Sequence, residues 1–178
     1  MDDSLIHADG LLLRPFVDAD ADPFAAAVRE SAAGMRRWMP WCSDDYGVEQ
    51  ALQWFQACRT GRAGDTAYEY GVFEQDTGAF VGGAGLNEIR HDHRFCNLGY
   101  WVRQSRQGQG VATRVVHALA GQAFGPLRLQ RVEIVVAVGN LASERVAVKS
   151  GALREGVARN RLVIDDRPAP AHMFSLVP

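Results

Sequence analysis

The spacing of apolar positions changes along this chain, and each change predicts an element. Leu11-Leu12-Leu13-Arg14-Pro15 reads as a short strand ended by a proline that cannot donate to a ladder. A helix is predicted from Asp22 to Ala33, with Asp22 as its cap and Pro23 in its first position. Val48, Ala51, Leu52, Phe55 and Cys58 recur at three and four residues, which places them on one face of a second amphipathic helix. The aromatic stretch Trp38-Met39-Pro40-Trp41 lies between the two helices. Tyr68 to Phe73 and Ala79 to Leu86 are β-prone runs joined by Glu74-Gln75-Asp76-Thr77-Gly78, whose Asp and Gly suit a hairpin. In Phe95 to Val102, Leu98, Tyr100 and Val102 alternate with Gly99 and Trp101, which predicts a central strand covered on both faces.

From Gly110 the helical period returns. Val111, Val115 and Leu119 with Ala112, Val116, Ala120 and Phe124 form a wide apolar stripe that stops near Gly125-Pro126. Arg131 to Val138 is β-branched and reads as a buried strand, after which Asn140 caps a helix that ends near Gly151. Leu153 to Val163 and Met173 to Val177 supply two more strands around an Asp165-Asp166 turn. No repeat or flexible linker interrupts the series. It predicts an α/β (α+β) fold, one mixed sheet with helices on both faces.

Composition removes several classes. Of 178 residues, 47% are hydrophobic and 22% charged, which suits one packed domain over residues 1–178 rather than a disordered chain. Nineteen Lys and Arg against 21 Asp and Glu leave a net charge of −2, so no basic field is available to hold a nucleic acid. Cys42, Cys58 and Cys96 are widely spaced, which argues against a disulfide framework and against a metal site. No segment approaches the ~18 apolar residues of a membrane span, and no basic stretch precedes an apolar run at the start. The expectation is a cytoplasmic protein without a membrane or nucleic-acid partner.

Candidate chemistry gathers at Gln107-Gly108-Gln109-Gly110-Val111-Ala112-Thr113, between the central strand and a strong helix. Free N–H groups and a helix dipole converge on an anion at such a place. Glycines 108 and 110 lack the Cβ atoms that would block phosphate oxygens, and Arg103 and Arg106 add charge at the rim. A tight turn flanked by solvated arginines explains the same residues. A dinucleotide fingerprint is excluded because Thr113 stands where a third small residue belongs, and no P-loop motif occurs.

Asn140-Leu141-Ala142-Ser143, with the following helix and Gly151, resembles the cofactor helix of the GNAT superfamily of N-acetyltransferases, and Gln107, Gly110 and Ala112 fill its [QR]-x-x-G-x-[GA] loop. Leu13-Arg14-Pro15, Arg37 to Trp41, Gly99-Tyr100-Trp101 and Glu155-Gly156 narrow the resemblance to the RimJ/RimL-type branch, which includes ribosomal-protein N-terminal acetyltransferases.

The resemblance implies a GNAT fold, with a mostly antiparallel sheet of about seven strands, and acetyl-CoA as cofactor. It implies that Gln107, Gly108, Gln109, Gly110, Val111, Ala112 and Thr113 cradle the pyrophosphate, and that Trp101, Val102 and Arg103 pair with the pantetheine along a splayed strand. Asn140 is carried over as a cofactor contact. The position of the usual acid, a tyrosine seven residues after that Asn, holds Ala147, and the resemblance implies that Ser143 substitutes for it. Glu133 is a candidate base, although a structural salt bridge explains it better; Glu88, His91 and His93 are further candidates. Trp38, Met39, Trp41 and Tyr100 are expected to wall the acceptor pocket.

The implied reaction is transfer of acetyl to a primary amine, foremost a protein N-terminus such as that of a ribosomal protein. A polyamine or aminoglycoside acetyltransferase, which Asp44, Asp45 and Glu49 would suit, and a non-catalytic acyl-CoA-binding module remain open, as does a homodimer through the final strand.

Overall fold

The computed structural model describes residues 5–178. In chain order the elements are β1 (Ile6–Ala8), β2 (Leu11–Arg14), α1 (Ala21–Met35), α2 (Val48–Ala63), β3 (Tyr68–Glu74), β4 (Phe80–Arg90), β5 (Phe95–Val102), α3 (Val111–Phe124), β6 (Arg131–Ala137), α4 (Leu141–Lys149), β7 (Leu153–Ile164) and β8 (Arg167–Leu176). All strands join one eight-stranded sheet in the order β1-β2-β3-β4-β5-β6-β8-β7. Every neighbouring pair is antiparallel except β5 and β6.

Strand alternation gives each face its own core. Leu13, Val72, Leu86, Leu98 and Ile134 meet Val115, Val116 and Leu119 of α3 on one side. Phe73 and Phe80 meet Phe24 and Val28 of α1 and Phe55 of α2 on the other. Phe16 stacks on Phe55 with ring centroids 4.5 Å apart, and Phe24 meets Phe55 edge-on at 5.3 Å. Each such side chain contributes roughly 1.5–3 kcal/mol by leaving water.

The structure corrects four expectations. An eighth strand, β1, is only three residues long, and Asp9 (φ 39°) and Gly10 (φ 78°) turn it back onto β2. Helix α1 begins at Ala21, so Asp22 is not its cap. The residue before it, Asp20, turns its carboxylate to the Arg14 guanidinium, with both oxygens at 2.7 Å, and to the Val17 N–H at 2.9 Å. Pro23 falls in the first turn, where its missing donor costs no helical bond. The last strand starts at Arg167 rather than Met173. Its Pro168 and Pro170 lie past the β6 pairing that begins at Ala171, on a side where no ladder donor is needed. Along Ala171–Leu176 this strand is paired on both sides, so it offers no free edge there to a second copy.

The feature that positions the site is the parallel junction. β5 and β6 pair only at Phe95↔Arg131, Cys96↔Val132 and Asn97↔Glu133. Beyond Asn97 the strands part, and the rest of β5 presents an open edge on that side.

Candidate active site

A short 3-10 turn at Gln104–Arg106 carries the chain from β5 into the glycine loop. Gly108 (φ 75°) and Gly110 (φ 74°) hold left-handed backbone, which costs an L-residue ~1–2 kcal/mol, and Gly110 is the N-cap of α3. The first helical bond runs from Arg114 N–H to Gly110 O at 3.1 Å. The N–H groups of Gly108, Gln109, Gly110, Val111, Ala112 and Thr113 therefore donate to no protein acceptor among the described residues, and no side chain caps the helix. A Cβ on either glycine would meet nothing within 4 Å, so the space in front of these donors is open.

All of these donor residues except Gln109 line a cleft of about 550 Å³, together with Trp38, Met39, Tyr100, Trp101, Val102 and Ser143. Gln107 Nε2 donates to Val102 O at 2.9 Å on the open edge of β5, so by strand alternation the N–H groups of Tyr100 and Val102 face the gap. Asn140 Oδ1 accepts the Ser143 N–H at 3.2 Å, capping α4, and Asn140 also borders the cleft. Tyr100 Oη lies 3.0 Å from Ser143 Oγ and donates to Ser143 O at 3.1 Å. Burial pushes the Tyr100 hydroxyl up to about 12, against a lowering by its bond to Ser143. Ala147 is fully buried, so a tyrosine there would have to displace core.

A second cavity, of about 310 Å³, lies on the α1/α2 face and is lined by Trp41, Trp54, Tyr46, Glu69 and Asn87 among others. Met39, Tyr100 and Trp101 border both spaces. Trp41 and Trp101 meet edge to face at 6.0 Å.

A family model described as an acetyltransferase (GNAT) domain matches residues 10–153. This chain belongs to the GNAT acetyltransferase family. It is 25% identical over 173 residues to the uncharacterized N-acetyltransferase YoaA of Bacillus subtilis, covering 97% of this chain and 96% of that protein. It is 24% identical over 166 residues to the Escherichia coli [ribosomal protein uS5]-alanine N-acetyltransferase, covering 90% and 84%. Among solved structures, that of a "putative ribosomal-protein-serine acetyltransferase" from Vibrio cholerae superposes with a TM-score of 0.88 at 32% identity, covering 99% of this chain and 98% of that one. The protein is thus an acetyl-CoA-dependent N-acetyltransferase of the GNAT type, with its acetyl donor supplied as a thioester.

The residues present fit that cofactor. Unpartnered N–H groups at a helix start suit a diphosphate, and the open β5 edge suits an extended, amide-bearing arm. The rim cations differ from the sequence expectation. Arg103 Nε bonds Glu30 at 3.1 Å and Arg106 Nε bonds Glu74 at 2.7 Å, so both guanidiniums are engaged by carboxylates. Glu30 is held at about 2, chiefly by its hydrogen bond from Arg103 and against the cost of burial. Arg103 and Gln109 do not line the cleft. Arg145 and Lys149 do, and neither has a carboxylate within ion-pairing distance among the described residues. Sequence reading passed over both, although Ala142, Arg145, Val146 and Lys149 recur at helical spacing after Asn140.

Of the acceptor-side residues, Trp41 and Met39 line the second cavity, whereas Trp38 lines the cofactor cleft. Glu133 borders neither space; Arg131 Nε donates to it at 2.9 Å, and Arg131 continues to Glu155. Glu88, His91 and His93 are exposed and lie outside both cavities, as do Asp44, Asp45 and Glu49. Glu69, which does line the second cavity, was not singled out from the sequence.

Proposed function

We propose that this GNAT protein acetylates the N-terminal amine of a protein, with a ribosomal protein as the acceptor class its relatives suggest. The observation that carries the reading is the hydrogen-bonded pair Ser143 and Tyr100, standing where the open edge of β5 meets the cleft of the glycine loop. Bound acetyl-CoA supplies an acetyl group already activated as a thioester. The N–H groups of Gly108 and of Gly110 to Thr113 grip its diphosphate, and Arg145 and Lys149 offset phosphate charge. On the β5 edge, the N–H groups of Tyr100 and Val102 point to where negative charge grows on a carbonyl oxygen. Donors fixed in advance stabilise that charge more than the ground state. Ser143 Oγ passes its proton to the departing sulfur as it takes up one released by the acceptor nitrogen, and the Tyr100 hydroxyl, donating to that oxygen, holds it in place.

A protein acceptor is favoured over a small polyamine by the cavity mouth, where Trp41 and Trp54 remain 45% and 40% exposed. The acids near the tryptophans do not line the cavity, so they do not build an anionic cleft for a polycation. The test is thiol release from acetyl-CoA with three acceptor sets: peptides beginning with Ser or Ala, the same peptides already N-acetylated, and spermidine or an aminoglycoside. Turnover confined to the free peptides is the expected result. Turnover with the polyamine or aminoglycoside alone overturns the acceptor class. Stabilisation by acetyl-CoA with no turnover in any set identifies a binding module instead.

A further inference from the structure

On the α1/α2 face, Glu69 stands directly across from Gly85, and Gly85 directly across from Gly99. A Cβ on Gly85 would fall 1.9 Å from Glu69 Oε2, so the carboxylate lies over the bare backbone of β4. One further strand spacing, ~4.8 Å, brings it to β5. It arrives at Gly99, two residues past Asn97, where β5 and β6 have parted. The row of glycines thus lets an acid from β3 reach toward the gap that the thioester would enter.

The acid is held from behind. Asn97 Nδ2 donates to Asn87 Oδ1 at 2.8 Å, and Asn87 Nδ2 donates to Glu69 Oε1 at 2.9 Å. Oε2 accepts no hydrogen bond, and no cation lies within ion-pairing distance of the carboxylate, among the described residues. Most of the cavity's other lining is aromatic, with Phe24, Trp41, Trp54 and Trp101 among the rings, and Glu69 is its one charged side chain. An acid oriented on one oxygen and unpaired on the other, facing ring surfaces, is a receptor for a small cation.

We propose that Glu69 receives the acceptor's primary ammonium in this cavity and takes the proton that must leave before nitrogen can attack, with the adjoining apolar group packed against Trp41, Trp54 and Trp101. The proposal rests on the acetyl-transfer reading and names the site within it where the amine sits. Of the three hydrogens on the ammonium nitrogen, the amide product keeps one. One passes to Glu69 and on to solvent, and one balances the thiol released. The charge of the ammonium offsets the buried carboxylate, and both become neutral when the proton crosses.

Burial pushes the Glu69 carboxyl above the usual carboxylate range, partly offset by the Asn87 bond and the Arg62 charge. The titratable groups around it are Arg62 and Cys58 on α2, Tyr46 from the segment before α2, and Tyr70 on β3 and Tyr100 on β5, which line the same cavity. Because the base form is the active one, the rate should climb with pH through that raised value.

The experiment compares the whole wild-type chain with Glu69→Gln, using tryptophan fluorescence to follow binding of a Ser-initiated peptide and its N-acetylated twin, and thiol release to follow transfer. A charge-assisted hydrogen bond predicts that wild type prefers the free amine by at least ~10-fold. E69Q should lose that preference, lose ~100-fold or more in transfer and lose the pH limb. Its thermal stabilisation by acetyl-CoA should stay unchanged, which shows that it folds. Should E69Q fail to fold, Asn87→Ala serves, with a weakened preference and a pH limb displaced upward. If E69Q keeps both the preference and the rate, the proposal is overturned while the acetyltransferase reading stands. If wild type shows a Glu69-dependent preference but no turnover, the amine site stands and the catalytic reading falls. Absence of any preference in wild type removes the amine site.

Discussion

Ser143→Ala is expected to lower kcat by ~10²–10⁴-fold with the best acceptor while leaving acetyl-CoA affinity nearly unchanged. The hydroxyl acts on a sulfur that becomes basic only as the thioester breaks, so its loss is felt in the transition state and hardly in the ground state. Its N–H, which meets Asn140 Oδ1, survives the substitution, so the cap of α4 is retained. Tyr100→Phe tests the other half of the pair. It keeps the ring that borders both cavities and removes only the hydroxyl that meets Ser143 Oγ. If Tyr100 merely orients Ser143, the single change costs less than S143A, and the double variant is no worse than S143A alone. Additive losses would mean that the two hydroxyls act independently. Full activity in S143A would remove the proposed acid.

Gly110→Val should abolish the thermal stabilisation that acetyl-CoA confers. Bound at one hundred times its dissociation constant, a ligand adds ~2.7 kcal/mol to folding stability. In a chain of this size that is a rise of roughly 5–10 °C in Tm. Valine at φ 74° must strain the N-cap of α3, and its branched side chain stands in the open space before the free N–H groups. The unliganded Tm should fall by a few degrees for ~1–2 kcal/mol of strain. The control is Gly151→Val, at φ 82°, also with open space around it but past the C-terminal end of α4 and outside the cleft. It should carry a similar strain and keep the response to acetyl-CoA. Loss of that response in both variants would mean that destabilisation alone explains the first.

What the sequence disclosed was the part of the site made within short spans. Gly108 and Gly110 ahead of a helical stripe, and Asn140 three residues before Ser143, are local patterns whose geometry follows from helix start and helix pitch. The span of β5, Phe95–Val102, was legible for the same reason, since alternating large residues fix its faces. Glu69 was not. Its place over Gly85 and toward Gly99 is set by the register of three strands, which no single segment encodes. Arg106 does line the cleft and Arg103 does not, but the charge of both is answered by a carboxylate that sequence could not show, since Glu30 and Glu74 come from remote elements. The early start of β8 was hidden by Pro168 and Pro170, since only topology reveals that β6 stops short of them.

The brief seam between β5 and β6 makes the sheet two leaves on a short spine, with β1 to β5 in one and β6, β8 and β7 in the other. A molecule threaded into the fork acts as a rivet between the leaves, so its departure should loosen them. Deuterium uptake by the amides of β6 and β8 is therefore expected to slow when acetyl-CoA is added, while the β3–β4 hairpin, inside one leaf, exchanges at its former pace.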